Sequence, residues 1–278
     1  MAHDPELELV VRLARAIAPE RDSFVLIGGV AHQLFRHAPM AQQVDVPVLR
    51  TFDADVAVDS EFHSKAFRID ARLMEFGFRE ELRGEDTPPT IRYILESAPT
   101  HYVQFIAHRS GNGMKRDGRR DVTASVAGVV AEKLSHVDVL LKSPWTVELR
   151  EEYGFPVHGE HLEVRIANAA CYIAQKLLVL DKRDPKDRAK DLVYVHDAIL
   201  LFAPALGSLA ELWRQAEAPT TKRARSVAGI ARTLGASVGD DARRAVQLLH
   251  GLDRGHRPDE RGFVATLNEG LTQLFPSR

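Results

Sequence analysis

Hydrophobic periodicity changes once along the chain, near residue 165. Before that point, short apolar or alternating runs are separated by prolines and glycines and by brief helical patterns. Beyond it, apolar residues recur at helical spacing in long segments. We therefore expect an α+β fold, with a mixed-sheet domain over residues 1–160 and an α-helical domain over residues 161–278.

The first half alternates between strand and helix patterns. The apolar run 24–27 predicts a buried strand that ends in a glycine pair, and the alternating segment 50–59 predicts a second strand. Segments 90–96 and 101–107, separated by a short linker, predict a hairpin. Loops are predicted for 38–49 and 109–120. Helices are predicted for residues 6–18, 30–37, 64–76 and 124–141, and in the second half for 166–182, 186–202, 208–217, 222–234, 239–251 and 260–274.

The charge composition is close to neutral overall and uneven locally. The net charge is −2, so no chain-wide basic field attracts nucleic acid. Residues 219–278, however, hold 10 Lys and Arg against 6 Asp and Glu. Their basic cluster, Lys222 to Arg225 with Arg232, can contact RNA phosphates or form a solvated helix face, and few aromatic residues are present nearby to stack bases. Both interpretations stay open.

Cysteine content and hydropathy bear on the cellular setting. A single cysteine, Cys171, allows no intrachain disulfide, and its apolar helical surroundings predict a buried thiol. No apolar run reaches 18 residues, so we expect no transmembrane helix and no membrane partner. The acidic N-terminal segment lacks the apolar core of a signal peptide. A cytoplasmic protein is the expectation.

Two aspartates, Asp53 and Asp55, are the strongest functional signal. Residues i and i+2 of a strand face the same side, so both carboxylates can hold a hard cation such as Mg²⁺ or Mn²⁺. The glycine turn Gly28-Gly29 precedes a helix and can place phosphate beside them. Taken alone, an Asp-x-Asp pair is usually the solvated face of a strand, and a glycine pair is usually a tight turn. Their combination predicts a nucleoside triphosphate (NTP) site.

Further residues in the second half complete a family pattern. A lysine, an arginine and a Lys-Asp pair follow one another over two predicted helices, at Lys176, Arg183 and Lys190-Asp191. With Gly28-Gly29 and Thr51-x-Asp53-x-Asp55, this order resembles the nucleotidyltransferase superfamily, which has the DNA polymerase β-like fold. The resemblance covers roughly residues 20–200. The motif order is similar to that of stand-alone bacterial members, including toxin-type nucleotidyltransferases of abortive-infection systems.

The resemblance implies an activity and a set of roles. The implied reaction moves a nucleoside monophosphate (NMP) from an NTP to an acceptor hydroxyl, on RNA, protein or a small molecule, with Mg²⁺ or Mn²⁺. An antitoxin-like protein partner is implied by the same analogy. The implied roles are metal binding and catalysis for Asp53 and Asp55, phosphate approach for Gly28 and Gly29, assistance from Arg50 and Thr51, and neutralisation of pyrophosphate by Lys176 and Lys190.

One position departs from the family pattern. The superfamily supplies a third carboxylate from a later strand, and here Gln104 occupies the matching position. An amide offers a carbonyl oxygen to a metal but carries no charge and is no general base. Glu96 on the neighbouring strand is a candidate substitute. The alternative hypothesis is therefore a catalytically impaired relative that binds nucleotide, RNA or a protein partner without chemistry.

Overall fold

The computed structural model describes residues 4–44, 49–64, 68–84, 88–111, 113–114, 118, 120–234, 239–252 and 257–276. Its contacts divide the chain into two compact units: unit 1 is Met1–Leu34 with Arg50–Ala167, and unit 2 is Phe35–Leu49 with Asn168–Arg278. The chain therefore passes from one unit to the other three times. Parts of the predicted loops 38–49 and 109–120 and of the predicted helix 64–76 lie outside the described residues.

Unit 1 contains the sheet. Its described helices are α1 (Pro5–Ile17), α2 (Gly28–Leu34), α3 (Ile69–Glu75) and α4 (Val137–Leu140). Its described strands are β1 (Phe24–Ile27), β2 (Asp53–Val58), β3 (Phe78–Arg83), β4 (Thr90–Leu95), β5 (Tyr102–His108), β6 (Thr123–Val126), β7 (Val129–Leu134), β8 (Trp145–Leu149) and β9 (Leu162–Ile166).

These strands form one mixed sheet, which counts nine strands within the described residues. The order is β3-β4-β5-β2-β1-β9-β8, and β7 pairs with both β5 and β6. The pairs β2–β5, β1–β9 and β5–β7 are parallel, whereas the remaining pairs are antiparallel. With the helical C-terminal region this confirms the predicted α+β class.

The two faces of the sheet differ in polarity. Leu26, Val56 and Phe105 lie on one face in matching register and are all buried. Asp55 and Gln104, which alternate with these residues along β2 and β5, lie on the opposite face. The alternation that predicted the strand therefore also separates the core from a polar face that carries the acidic pair.

The predicted helix 124–141 is wrong. Residues 123–134 form the β6–β7 hairpin instead, and a short helix follows it only over Val137–Leu140. Ala127 and Gly128 connect the strands with φ values of 48° and 96°. Two consecutive positive φ values are typical of a tight hairpin turn, whose twist matches that of the flanking strands. The charged edge strand β3 was not predicted either, because its polar residues follow no clear alternation.

Unit 2 is helical in its described part. Its helices are α5 (Ala169–Val179), α6 (Pro185–Leu201), α7 (Leu206–Ala216), α8 (Lys222–Leu234), α9 (Asp240–His250) and α10 (Glu260–Leu274). Helix α10 packs against α6, α7, α8 and α9, and α5 packs against α6, α7 and α8. The segment 35–49 joins this unit through Phe35, whose ring meets the rings of Tyr172 and Phe202 edge-on at 5.1 and 5.5 Å.

Hydrogen bonds also attach the segment 35–49 to unit 2. The backbone N–H of Gln42 donates to the Leu201 carbonyl oxygen at 2.8 Å, and its side-chain amide donates to the Leu200 carbonyl oxygen at 2.7 Å.

Within the described ranges, no single helix is long and apolar enough to cross a membrane. One pair, Pro185–Leu201 and Ala203–Ala216, reaches that length and apolarity only when both helices are counted together across a 75° bend.

Candidate active site

The glycine turn lies directly against the acidic pair. Strand β1 runs antiparallel to β2 with Ile27 opposite Asp55, so the turn after β1 lies beside that carboxylate. Gly28 has a φ of +63°, and a Cβ at this position would lie 2.6 Å from Asp55 Oδ2. A Cβ at Gly29 would lie 2.8 Å from Thr51 Oγ1. Both glycines are therefore required by close packing against the start of β2.

Asp53 is oriented by a neighbouring hydroxyl. The Thr51 hydroxyl donates to Asp53 Oδ1, and the buried Thr51 backbone N–H donates to Glu6 Oε1 at 2.7 Å. Burial raises the pKa of Glu6 above its ordinary value, partly offset by that hydrogen bond from Thr51. Helix α1 thus fixes the chain just before the acidic pair, and Asp53 and Asp55 remain half-buried on the polar face.

Gln104 lies beside Asp55. The two residues are register partners on the parallel strands β2 and β5. The Gln104 side-chain amide, through Nε2, donates to Glu132 Oε2 on β7 at 2.6 Å. Glu96, the candidate substitute, lies exposed in the turn after β4, where its backbone N–H donates to the Gly77 carbonyl oxygen at 3.0 Å. Glu132, and not Glu96, is thus the glutamate whose carboxylate accepts this hydrogen bond from Gln104.

An aromatic residue and a cation extend the polar face. Tyr102 is the register partner of Asp53, and Arg92 is the register partner of Gln104. The Arg92 guanidinium carbon lies 4.3 Å from the Tyr102 ring centroid. Burial raises the pKa of Tyr102, and the negative charge of Asp53 raises it further. Arg92 therefore brings positive charge to the same face as the acidic pair.

Sequence reasoning did not identify Arg92, Tyr102 or Glu132. The first two carried a usable signal, because the predicted hairpin alternates polar with apolar residues and its polar side must face Asp53 and Asp55. Glu132 carries none, since the sequence pattern around it predicts a helix over residues 124–141. A strand assignment there would have required recognising the Ala127-Gly128 turn.

The remaining predicted residues differ in setting. Arg50 is highly exposed, with its guanidinium 4.0 Å from the Asp4 carboxylate. Lys176 and Lys190 lie in unit 2, on α5 and α6. Lys176 is 6% exposed, and its ammonium donates to Asp191 Oδ1 at 2.5 Å. The structure thus brings Gly28, Gly29, Thr51, Asp53, Asp55 and Gln104 together within unit 1.

Both lysines lie close to tyrosine rings. The Lys176 ammonium lies 5.4 Å from the Tyr172 ring centroid and 5.2 Å from that of Tyr194, and the Lys190 ammonium lies 5.5 Å from Tyr194. Arg183 Nε approaches the second oxygen of Asp191 at 3.4 Å. The Lys-Arg-Lys-Asp residues therefore form one cluster around Tyr194.

The polar face of unit 1 suits a magnesium ion with an NTP. Among the residues the structure describes, no group of three or more His, Cys, Asp or Glu side chains is arranged as a metal site. The face offers two carboxylates, Asp53 and Asp55, with an amide and a hydroxyl beside them. Magnesium typically takes one or two carboxylates and completes its shell with water and substrate phosphates. The donor set fits that pattern.

A family comparison agrees with this arrangement. The model of a family described as Nucleotidyltransferase matches residues 7–217, which is more than half of the chain. The chain belongs to this nucleotidyltransferase family. The match extends from within α1 to the residue after α7 and so includes parts of both units. The activity class is therefore nucleotidyl transfer, with an NTP as substrate. No curated protein matches the chain.

Proposed function

We propose that the protein uses Mg²⁺ or Mn²⁺ to transfer an NMP from an NTP to an acceptor hydroxyl, at the polar face of unit 1. The observation that carries this proposal is the packing of Gly28 against Asp55. It places the turn that begins α2 in direct contact with one of two carboxylates on the same strand face. A nucleoside triphosphate with a bound divalent cation requires both features, the turn for its phosphates and the carboxylates for its cation.

The chemical barrier is electrostatic. An anionic α-phosphate must accept a further oxygen nucleophile while pyrophosphate leaves. Divalent ions, when bound, would supply positive charge that offsets this anionic charge. Asp53 and Asp55 would hold these ions, and the Thr51 hydroxyl keeps the Asp53 carboxylate in one orientation. Gln104 offers a neutral oxygen beside Asp55.

Other residues bind and neutralise the substrate in this proposal. The Gly28-Gly29 turn would offer its backbone N–H groups to the triphosphate at the start of α2, beside Asp55. Arg92 supplies positive charge on the same face. Lys176 and Lys190 are proposed, from the family pattern, to neutralise pyrophosphate. The acceptor proton passes to an oxygen of the carboxylate pair or to water, because an amide such as Gln104 is not a base.

The proposal is tested by product formation. The protein is incubated with labelled NTPs, Mg²⁺ or Mn²⁺, and a panel of RNA, protein and small-molecule hydroxyl acceptors, and both label transfer and pyrophosphate release are measured. Transfer that disappears in Asp53→Asn and persists in Asp59→Asn supports it, since Asp59 lies exposed just beyond the strand. Equal transfer in Asp53→Asn and wild type contradicts it.

A second candidate function is nucleotide, RNA or protein binding without chemistry. Gln104 favours it, because the position of the third carboxylate carries no charge. Calorimetry then detects NTP binding while no pyrophosphate appears with any acceptor. An antitoxin-like partner would be recovered as a stable complex whose formation does not depend on NTP.

A further inference from the structure

Gln104 has different neighbours on the two edges of its strand. Strand β2 pairs with one edge of β5 along its length from Tyr102 to Ala107. The other edge of β5 pairs with β4 at residues 102–104 and with β7 at residues 106–108. Asp55 on β2 and Glu132 on β7 therefore lie on opposite sides of β5.

The hydrogen bond to Glu132 determines which way the Gln104 amide faces. An ionised carboxylate only accepts hydrogen bonds, so the amide presents its NH₂ group to Glu132. The two terminal atoms of a planar amide diverge from the same carbon. When the nitrogen faces Glu132, the carbonyl oxygen Oε1 faces away from Glu132, and Asp55 is the register partner on the strand edge opposite β7.

We propose that Glu132 is a positioning residue that holds Gln104 Oε1 toward Asp55 as a neutral third oxygen ligand for the metal. This inference rests on the proposed function, since it concerns the same metal site. The negative charge that a third acid would place on the metal is moved one strand away, onto Glu132. That residue acts on the metal through Gln104 and does not contact it.

The alternative is a simple cross-link between strands, in which the Gln104–Glu132 contact stabilises the sheet and leaves metal affinity unaffected. Isosteric exchanges separate the two interpretations. In Glu132→Gln, two amides face each other and pair in either orientation, so Oε1 is no longer fixed. In the exchange Gln104→Glu with Glu132→Gln, the donor and acceptor change places and the hydrogen bond is kept, with the charge now on the metal side.

The test measures Mn²⁺ affinity by titration calorimetry in the presence of a non-hydrolysable NTP analogue, with melting temperatures recorded for each variant. We expect Glu132→Gln to weaken Mn²⁺ binding roughly 10-fold, the usual size of the effect for a group that orients a ligand. We expect the double exchange to bind Mn²⁺ more tightly than wild type. Glu148→Gln, on the distant strand β8, serves as the control and should bind like wild type.

The outcomes separate this inference from the proposed function. Loss of Mn²⁺ binding in Asp55→Asn together with wild-type affinity in Glu132→Gln overturns the inference and leaves the proposed metal site intact. Wild-type affinity in Asp55→Asn overturns the metal site itself, and the inference with it. If Glu132→Gln fails to fold, the double exchange decides, because affinity no tighter than wild type contradicts the assigned direction of Oε1.

Discussion

The two units handle their charged motif residues in different ways. In unit 1 the Asp53 carboxylate stays half-buried and accepts a hydrogen bond from a neutral hydroxyl, and Gln104 beside Asp55 is also neutral. In unit 2 the Lys176 ammonium is buried and meets the opposite charge of Asp191. A hydroxyl donor carries no charge and so does not neutralise the Asp53 carboxylate, whereas Lys176 and Asp191 neutralise each other within unit 2.

We therefore expect the residues of this one family pattern to have two physical functions, ligand binding in unit 1 and stabilisation of the fold in unit 2. Substitutions of the unit 1 acids are expected to lower activity and to leave stability nearly unchanged. Substitutions of the Lys176–Asp191 pair in unit 2 are expected to lower stability. Measuring both quantities for each variant therefore tests the comparison directly.

The largest effect is expected for Asp55→Asn. Removing the charge of this proposed metal ligand should lower the transfer rate by roughly 10³-fold, because the transition state would lose electrostatic stabilisation. The melting temperature should stay near that of wild type, since the residue is half-buried and the substitution keeps its shape. A large fall in melting temperature with unchanged activity per folded molecule would reverse the assignment for unit 1.

Lys176→Met is expected to destabilise the protein by about 3 kcal/mol, because it leaves the buried Asp191 carboxylate with only the longer contact to Arg183 Nε at 3.4 Å. Chemical unfolding measures this loss. The double substitution Lys176→Met with Asp191→Leu should recover much of it, since both buried charges are removed and Arg183, which loses its contact with Asp191, is partly exposed. If the folded Lys176→Met protein also loses transfer activity beyond the loss of folded molecules, the predicted role of Lys176 in neutralising pyrophosphate gains support.

Gly28→Ala should cost about 2 kcal/mol, because alanine is strained at positive φ and its Cβ collides with Asp55. Activity should fall as well, since the carboxylate must move. The matched control is Gly84→Ala: this residue also has a positive φ, but a Cβ added there would meet no atom within 4 Å. Equal activity in both variants would show that contact between the turn and Asp55 is unimportant.

The smallest expected effect is a loss of stability at acidic pH that arises from His37 in unit 2. Burial lowers the pKa of His37 to about 4, with a further lowering by the charge of Arg36. Between pH 6.5 and pH 4 the unfolded chain therefore binds a proton that the folded state does not, so stability falls as the pH falls. From pH 7.5 to pH 5.5 this contribution should be about 1 kcal/mol.

Urea unfolding of wild type and His37→Gln at both pH values measures the difference. The variant should lose less stability on acidification, and His63→Gln, which removes an exposed histidine of unit 1, should behave like wild type. Glu6 of unit 1 responds in the opposite direction, because its raised pKa makes the folded state bind a proton more readily above pH 4.5. Identical pH dependence in wild type and His37→Gln would remove this contrast.

The sequence predicted those features that depend on neighbouring residues. The strand with Asp53 and Asp55, the glycine turn before it and the β4–β5 hairpin follow from local alternation and spacing. The position of Glu132 on a strand could not be predicted from the sequence, because that strand depends on a turn with two positive φ values, one of them at an alanine. The burial of Lys176 could not be predicted either, since a charged residue on a helix is usually solvated and its partner here comes from the next helix.

The assignment of segment 35–49 has a practical consequence for anyone who divides the protein into fragments. Cutting the chain once near residue 167 would leave this segment on the N-terminal piece, and Phe35 would lose the rings of Tyr172 and Phe202 that cover it. The C-terminal piece would at the same time expose the apolar surface those rings belong to. Each piece would expose a new apolar surface that favours aggregation. A fragment of either unit therefore needs the segment 35–49 to be moved to the unit 2 fragment and its connections rebuilt, in addition to a new terminus.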